Sequence, residues 1–319
     1  MKLTVNRFAR AALGAALLVS AALLAACGGG GQQVQTFYPT RVIAFGDELS
    51  VINANGTKYS VNALVAGSSQ IDCASNPIWV QYVAAGYALA FPQCPGFATD
   101  PVSRIYATVG ATVGDISGQI DAHLTNGGGF AAGDLVTVLA GANDVVAQFQ
   151  QYPAVGEDQL LANVAAAGAA LANQVNRLAG YGAKVLIVTI PDMGLTPFAG
   201  DRSVGSTDGN PARLTRLSTK FNDALLANLL NDGHKIGLVQ LDEYLKSIDN
   251  AVLRGQTGSG FTNTTLVACA VALPNCTTNT LVPDAANANW LWADARHLTA
   301  NGQASLGTLA LSRSRSNPF

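Results

Sequence analysis

Near the C-terminus of the 319-residue chain, an acidic residue and a histidine have the spacing required for proton-transfer chemistry. Asp294 and His297 stand three residues apart, so both side chains can face one site from a loop or a helical turn. An imidazole that is oriented by a carboxylate is the base that activates the nucleophile in many hydrolases. The alternative is a purely structural hydrogen-bonded pair. His123 and His234 have no such partner and are interpreted as surface residues near helix ends.

Two other polar residues follow hydrophobic runs that are typical of buried strands. Glu48 lies shortly after the run 41–45. Asn143 lies shortly after the run 134–139. The carboxyl ends of parallel strands lie along one edge of a sheet, where ligands collect, so we expect both side chains near the same site. Asn143 can also cap a helix that begins near Asp144, and the two roles are compatible.

The rest of the chain alternates strand-like and helix-like segments. Near-continuous runs of Val, Ile and Leu indicate buried strands, and apolar residues at helical spacing indicate helices. The predicted strands cover residues 41–45, 134–139, 184–190 and 236–241. The predicted helices cover residues 78–90, 115–124, 157–179 and 211–230. This alternation predicts one α/β domain with a mainly parallel sheet that is covered by helices on both faces.

Four short motifs, taken in order, resemble the characteristic blocks of the GDSL, or SGNH, hydrolase family. They are Gly46-Asp47-x-Leu49-Ser50, the segment 106–111, Gly141-x-Asn143-Asp144 and Asp294-x-x-His297. Each motif is weak evidence alone, but four in this order are strong evidence. The resemblance covers residues 36–319. It implies a flavodoxin-like three-layer α/β/α sandwich, hydrolysis of esters or lipids, and no cofactor.

The resemblance also implies roles for individual residues. By motif match, Gly110 and Asn143 contribute to the oxyanion hole, together with the backbone N–H that follows the first strand. His297 is the base, and Asp294 orients it. These groups are what ester hydrolysis requires around a nucleophile.

Glu48 is the point at which the sequence departs from the family, because family members carry the nucleophilic serine at this position. Ser50 is a poor replacement, since two residues of helical offset rotate its side chain by roughly 200°. A carboxylate that attacked an alkyl ester would have to expel a far more basic alkoxide. We therefore do not expect Glu48 to attack esters directly.

Three hypotheses about function remain open. In the first, the protein is an ester hydrolase in which Glu48 and His297 activate a water molecule. In the second, an ion pair between Glu48 and protonated His297 closes the site, and the domain binds a lipid, an acyl ester or a glycan without cleaving it. In the third, the protein is a structural envelope lipoprotein with no small ligand.

The N-terminal segment has the features of an export signal rather than of a folded domain. Basic residues precede an apolar stretch that is too short to span a bilayer, and this stretch ends in Leu-Ala-Ala-Cys at residues 24–27. The ending resembles the lipobox of bacterial lipoproteins, which implies that residues 1–26 are removed and that Cys27 is acylated. An ordinary signal peptide with a chance cysteine is the alternative. Residues 27–35 are then a flexible Gly-rich tether, and residues 36–319 are the hydrolase-like domain.

Composition excludes several other classes of protein. The net charge is -2, with 18 basic and 20 acidic residues, and no basic run is present to bind nucleic acid. Hydrophobic residues make up 49% of the chain, which excludes wholesale disorder. Since the charge is weakly negative, acyl chains rather than electrostatics would hold the protein on a membrane. Gly28 lacks the acidic side chain that often retains lipoproteins at the inner membrane, so we expect attachment to the outer membrane.

Four cysteines remain when Cys27 is set aside. An even number of cysteines in an exported chain indicates disulfides. The simplest of the three possible arrangements pairs neighbours in sequence, Cys73 with Cys94 and Cys269 with Cys276. No Cys-x-x-Cys motif occurs and only three histidines are present, so a metal site has little support.

Overall fold

The computed structural model describes residues 36–319, except for residues 97, 99, 201–209, 257 and 286–288. The signal peptide, Cys27 and the tether predicted for residues 1–35 lie outside the described residues. From Phe37 to Phe319 the chain folds as one unit. None of the described helices is both long and apolar enough to cross a membrane.

Strands and helices alternate along the described chain, as the hydrophobic pattern predicts. The strands are β1 (Arg41–Gly46), β2 (Ala63–Leu64), β3 (Ile71–Asp72), β4 (Arg104–Ile105), β5 (Asp134–Leu139), β6 (Lys184–Val188), β7 (Ile236–Val239), β8 (Asn263–Val267) and β9 (Trp290–Trp292). The helices are α1 (Trp79–Ala85), α2 (Val113–Asn126), α3 (Ala142–Phe149), α4 (Glu157–Gly180), α5 (Asn210–Asn228), α6 (Leu241–Leu253) and α7 (Ala300–Ser316). A short 3-10 helix, Glu48–Ser50, follows β1 directly.

The central sheet is fully parallel, with the strand order β4-β1-β5-β6-β7. Numbered by their sequence within this sheet, the strands have the order 2-1-3-4-5 that defines flavodoxin-like folds. Arg41 lies opposite Asp134 at one end of the β1–β5 pair, and Gly46 lies opposite Leu139 at the other. The two strands therefore end at the same level, at the point where the strand order reverses. Folds of this type bind ligands in the crevice at that point.

Helices cover the sheet on both faces and make it the centre of the hydrophobic core. Every residue of β5 is buried, as are four of the five residues of β6. Among the covering helices, α4 packs against α2 and α5, and α1 packs against α7. Each fully buried Val, Leu or Ile side chain contributes roughly 1.5–3 kcal/mol to stability. The predicted three-layer α/β/α sandwich is therefore confirmed.

Some predicted segments differ from the observed ones in extent or type. The helix predicted for residues 78–90 ends at Ala85, because the chain turns and Ala88 takes a positive φ of 58°. Leu241 does not end a strand but begins α6. The sequence pattern does not reveal the helices α6 and α7 or the short strands, which are β2, β3, β4, β8 and β9. Of these strands, β2, β3 and β4 have only two residues each. A two-residue strand is too short for periodicity to reveal.

Both predicted disulfides are present. Cys73 is bonded to Cys94, and Cys269 is bonded to Cys276. Lys58 also stabilises the segment that begins at Cys73. Its side chain is fully buried, and its ammonium group donates hydrogen bonds to the carbonyl oxygens of Cys73, Ser75 and Asn76 at 2.9–3.0 Å. The segment that precedes α1 is thus held by one covalent bond and three hydrogen bonds.

Candidate active site

Glu48 lies in the tight turn that follows β1, and the conformation of this turn requires a glycine. Gly46 has φ 141°, and a Cβ atom there would lie 2.0 Å from the carbonyl oxygen of Leu139, so no other residue fits. Asp47 then caps the 3-10 helix, since its carboxylate accepts a hydrogen bond from the N–H of Leu49 at 3.1 Å. The turn directs Glu48 into the molecule, where only 6% of its surface is exposed.

Gly110 and Asn143 approach the same point from the two neighbouring strands. Gly110 follows β4 in a loop where it takes φ 75°, and its N–H donates to Glu48 Oε2 at 2.8 Å. Asn143 lies in the first turn of α3, directly after β5. Its Nδ2 donates to Glu48 Oε2 at 3.1 Å and to the carbonyl oxygen of Ala111, also at 3.1 Å. Two of the three predicted oxyanion donors thus converge on a single oxygen atom of Glu48.

Asp294 and His297 lie in the loop between β9 and α7. His297 Nδ1 lies 2.8 Å from both carboxylate oxygens of Asp294, and the His297 backbone N–H donates to the same carboxylate at 2.8 Å. The Ala293 N–H donates to the His297 carbonyl oxygen at 2.7 Å, and the Thr299 N–H donates to that of Leu291 at 2.9 Å, so the backbone that carries the ring is fixed. The other ring nitrogen, Nε2, lies 3.1 Å from Glu48 Oε1. The structure therefore brings all five predicted site residues together.

The site is strongly polarised at neutral pH. Burial opposes ionisation of Glu48, but hydrogen bonds from His297, from its own backbone N–H, from Gly110 and from Asn143 outweigh burial and lower its pKa to about 2. Burial likewise opposes protonation of His297, but Asp294 and Glu48 raise its pKa to about 9. Burial, followed by the charge of Glu48, raises the pKa of Asp47 to about 8. At pH 7 the Glu48 carboxylate therefore faces a cationic His297.

Two details of the sequence interpretation are wrong. Asn143 does not cap α3, because Gly141 occupies the N-cap position with φ 122°. His123 is not a surface residue but is fully buried in the last turn of α2. Its ring nitrogens contact the Tyr106 hydroxyl at 3.2 Å and the Gly129 carbonyl oxygen at 2.8 Å. His123 is buried because that turn packs against the aromatic residues at the edge of the sheet.

The remaining predicted polar residues lie apart from the site. His234 is exposed, as predicted. Ser50 is fully buried, and its hydroxyl accepts a hydrogen bond from the indole of Trp79 at 3.2 Å, so it supports packing beneath the site. Among the described residues, no group of three or more His, Cys, Asp and Glu side chains is placed to hold a metal ion.

Three residues that contact the site were missed by the sequence analysis. Gln119 holds the end of β1, since its side chain bonds both the N–H and the carbonyl of Gly46 at 2.8 and 2.9 Å. The ring centre of Tyr59 lies 6.0 Å from that of His297. Arg296 donates from Nη1 to Asn143 Oδ1 at 3.2 Å. Only Arg296 lay within a motif, in Asp294-x-x-His297, where its position carried no signal.

The family comparison agrees with this geometry. Residues 42–309 match the model of the GDSL-like lipase/acylhydrolase family. The chain belongs to this family. The matched range includes the carboxyl ends of β1, β4 and β5 and the loop that carries Asp294 and His297. The protein is therefore a domain of the GDSL-like lipase/acylhydrolase family.

Solved structures that match the chain at low identity include the following three. An acetylxylan esterase from Geobacillus stearothermophilus is 14% identical, with a TM-score of 0.45, and the match covers 89% of this chain and 98% of that chain. A lipase from a goat rumen metagenome is 11% identical, with a TM-score of 0.48 and coverage of 88% and 99%. An alpha/beta hydrolase enzyme from the metagenome of Lake Arreo, Spain, is 14% identical, with a TM-score of 0.44 and coverage of 87% and 96%. A search of curated proteins finds no match.

Proposed function

We propose that this GDSL-family protein is tethered to the bacterial envelope and that Glu48 closes its ester-hydrolase site, so that it binds an acyl ester, lipid or glycan without cleaving it. One observation carries the proposal. The Glu48 carboxylate spans the site, with Oε1 at 3.1 Å from His297 Nε2 and Oε2 at 2.8 Å from the N–H of Gly110. Glu48 thus contacts both the proposed base and a donor of the proposed oxyanion hole.

The state of His297 supports the absence of ester hydrolysis. A general base must have a free lone pair within reach of the proton that it removes. With a pKa of about 9, His297 is protonated at neutral pH, and its Nε2 is directed at Glu48. Asp294 faces the other nitrogen of the ring. Neither nitrogen of the imidazole is then able to accept a proton from water or from an alcohol.

The occupied oxyanion hole supports the same conclusion. Donors of an oxyanion hole accelerate acyl transfer because they stabilise the negative charge that develops on the carbonyl oxygen. In this site Gly110 and Asn143 already donate to a carboxylate oxygen. Neither donor is therefore free for a substrate carbonyl. The negative charge of Glu48 also opposes the build-up of negative charge on the carbonyl oxygen at the same point.

Hydrolysis through an activated water is the second candidate, and the retained geometry of Asp294 and His297 favours it. In this mechanism Glu48 leaves the oxyanion hole, His297 loses its proton, and the two groups together activate a water molecule. Because the pKa of His297 is about 9, such activity would rise with pH and reach a plateau above pH 9. Activity that is already maximal at pH 7 would contradict this mechanism.

The envelope tether rests on sequence alone. The Leu-Ala-Ala-Cys ending at residues 24–27 supports acylation of Cys27. Gly28 supports the outer membrane as destination. The membrane is then the partner of the acyl chains.

Glu48→Ser tests whether the site is intact apart from its nucleophile. We expect the parent to be silent on short acyl esters, and the variant to hydrolyse them about tenfold faster or more, because a hydroxyl then lies within reach of His297. The double variant with His297→Ala is the control and should lose the gain. An active parent that Glu48→Ser impairs would support the water mechanism instead. A folded variant that stays silent would contradict an intact site.

A further inference from the structure

Arg296 lies at the edge of the oxyanion hole, and its position is determined by the loop that orients His297. Its backbone N–H donates to Asp294 Oδ1 at 2.8 Å. The preceding carbonyl, that of Ala295, accepts a hydrogen bond from Phe198 at 2.9 Å. The guanidinium lies 5.9 Å from the centre of the Phe198 ring, and Nη1 reaches Asn143 Oδ1 at 3.2 Å. A positive charge is therefore fixed beside one of the two oxyanion donors.

Most of the hydrogen-bonding capacity of this guanidinium is unused. A guanidinium carries five N–H donors. In the described part of the chain, the bond to Asn143 is the only side-chain hydrogen bond of Arg296, and no carboxylate lies within ion-pair distance of it. Several other arginines differ in this respect, since each of them is paired with a carboxylate. These are Arg41, Arg177, Arg213 and Arg216.

The surroundings of Arg296 suit a ligand rather than a protein partner. The residue is only partly buried, and an aromatic pair, Phe149 and Phe198 with ring centres 6.0 Å apart, lies on its side of the site. Tyr59 lies next to His297. Orienting the amide of Asn143 needs one neutral donor, whereas a planar cationic fork is suited to a carboxylate or a phosphate.

We infer that the ligand of this site carries an anionic group, which Arg296 binds beside the oxyanion hole. The inference rests on the proposed ligand-binding role of the site and specifies the class of ligand. The acyl ester, lipid or glycan is then an acidic one, with a carboxylate, phosphate or sulfate near the ester or acyl group. Arg296 determines specificity, because a neutral ligand of the same shape leaves its donors unpaired.

Two matched pairs of substrates test the inference in the Glu48→Ser variant. The first pair is the para-nitrophenyl esters of glutarate and valerate, which differ only in a terminal carboxylate or methyl group. The second pair is the butyrate esters of a carboxylated para-nitrophenol and of para-nitrophenol itself, which differ only in the carboxylate on the leaving group. In at least one pair we expect kcat/KM to favour the anionic ester about tenfold or more, mainly through KM. Arg296→Gln should abolish the preference, and Arg296→Lys should retain part of it.

The control is Arg254→Gln, which removes a similar charge from an exposed position at the end of α6 and should leave the preference unchanged. No preference in either pair would overturn the inference. An equal loss on anionic and neutral esters in Arg296→Gln would also overturn it, since Arg296 would then act only by holding Asn143.

A binding measurement separates the failure of this inference from that of the proposed function. If Glu48→Ser is silent on every ester, calorimetry with the unmodified protein compares monomethyl glutarate with methyl valerate. We expect the anionic compound to bind about tenfold more tightly or more, and Arg296→Gln to remove the difference. Such a result would sustain the inference although the catalytic geometry has failed. Equal binding of the two compounds, or no binding of monomethyl glutarate, would overturn it.

Discussion

Glu48→Gln tests whether the buried carboxylate of Glu48 keeps His297 protonated. The change keeps the size of the side chain and removes its charge. A pKa of about 9, against the usual 6.5, corresponds to about 3 kcal/mol in favour of the imidazolium. Because Asp294 contributes as well, glutamine at position 48 should remove only part of this stabilisation of the imidazolium. We expect the pKa of His297 to fall by about one unit or more. Titration of the His297 ring by NMR between pH 5 and pH 11 measures it.

The same shifts determine how stability depends on pH. The raised pKa of His297 means that its contribution to the free energy of unfolding is complete below pH 6.5 and is lost as the pH rises through 9. The lowered pKa of Glu48 means that its contribution is present above pH 4.5 and is lost as the pH falls toward 2. The pair therefore stabilises the fold most between pH 4.5 and pH 6.5.

Urea denaturation at pH 6 and pH 10 measures the alkaline side of this dependence. In the parent, we expect the contribution of His297 to the free energy of unfolding to fall by about 3 kcal/mol between pH 6 and pH 10. In Glu48→Gln we expect a smaller fall. Comparing the two proteins cancels the groups that Glu48 does not influence. Asp47 does not cancel, because the charge of Glu48 contributes to its pKa of about 8, and its effect on the difference has the same direction. An imidazole that titrates near 6.5 in the parent, or one that glutamine does not shift, would refute the reasoning.

Two further predictions concern the cysteines. Cys27→Ala should abolish acylation and membrane retention in fractionated cells, and a variant that stays with washed membranes would contradict the lipoprotein assignment. Cys73→Ala should lower the free energy of unfolding by about 3 kcal/mol, and Cys276→Ala by less, because the two disulfides join residues 21 and 7 positions apart in sequence. Denaturation of both variants measures this, and a larger effect of Cys276→Ala would contradict it.

Part of the site can be predicted because it depends on strand ends. Buried strands need long apolar runs, so the runs 41–45 and 134–139 reveal where β1 and β5 end. Since parallel strands align their carboxyl ends, Glu48 and Asn143 were expected to meet, and they do. Local sequence and the rules of sheet geometry suffice for this much of the arrangement.

The rest depends on contacts between distant segments, which local patterns do not encode. His123 is buried because aromatic side chains from β1 and from the loop after β4 pack against its turn. Arg296 reaches Asn143, which lies 153 residues earlier in the chain. The short strand β4 exists because the backbone pairs with β1, and not because Arg104 and Ile105 form a pattern of their own.

The Glu48 side chain has the chemical form of the acid that ester hydrolysis releases. In the proposed oxyanion hole, this carboxylate resembles a reaction product that is unable to diffuse away. Because the backbone of the 3-10 helix holds it there, its effective concentration far exceeds that of any free acid in solution. An incoming acyl group must compete with this internal product at every encounter. The affinity of an acyl ligand for the parent protein therefore depends on contacts around the hole. Removal of the Glu48 carboxylate should allow short free carboxylic acids to bind.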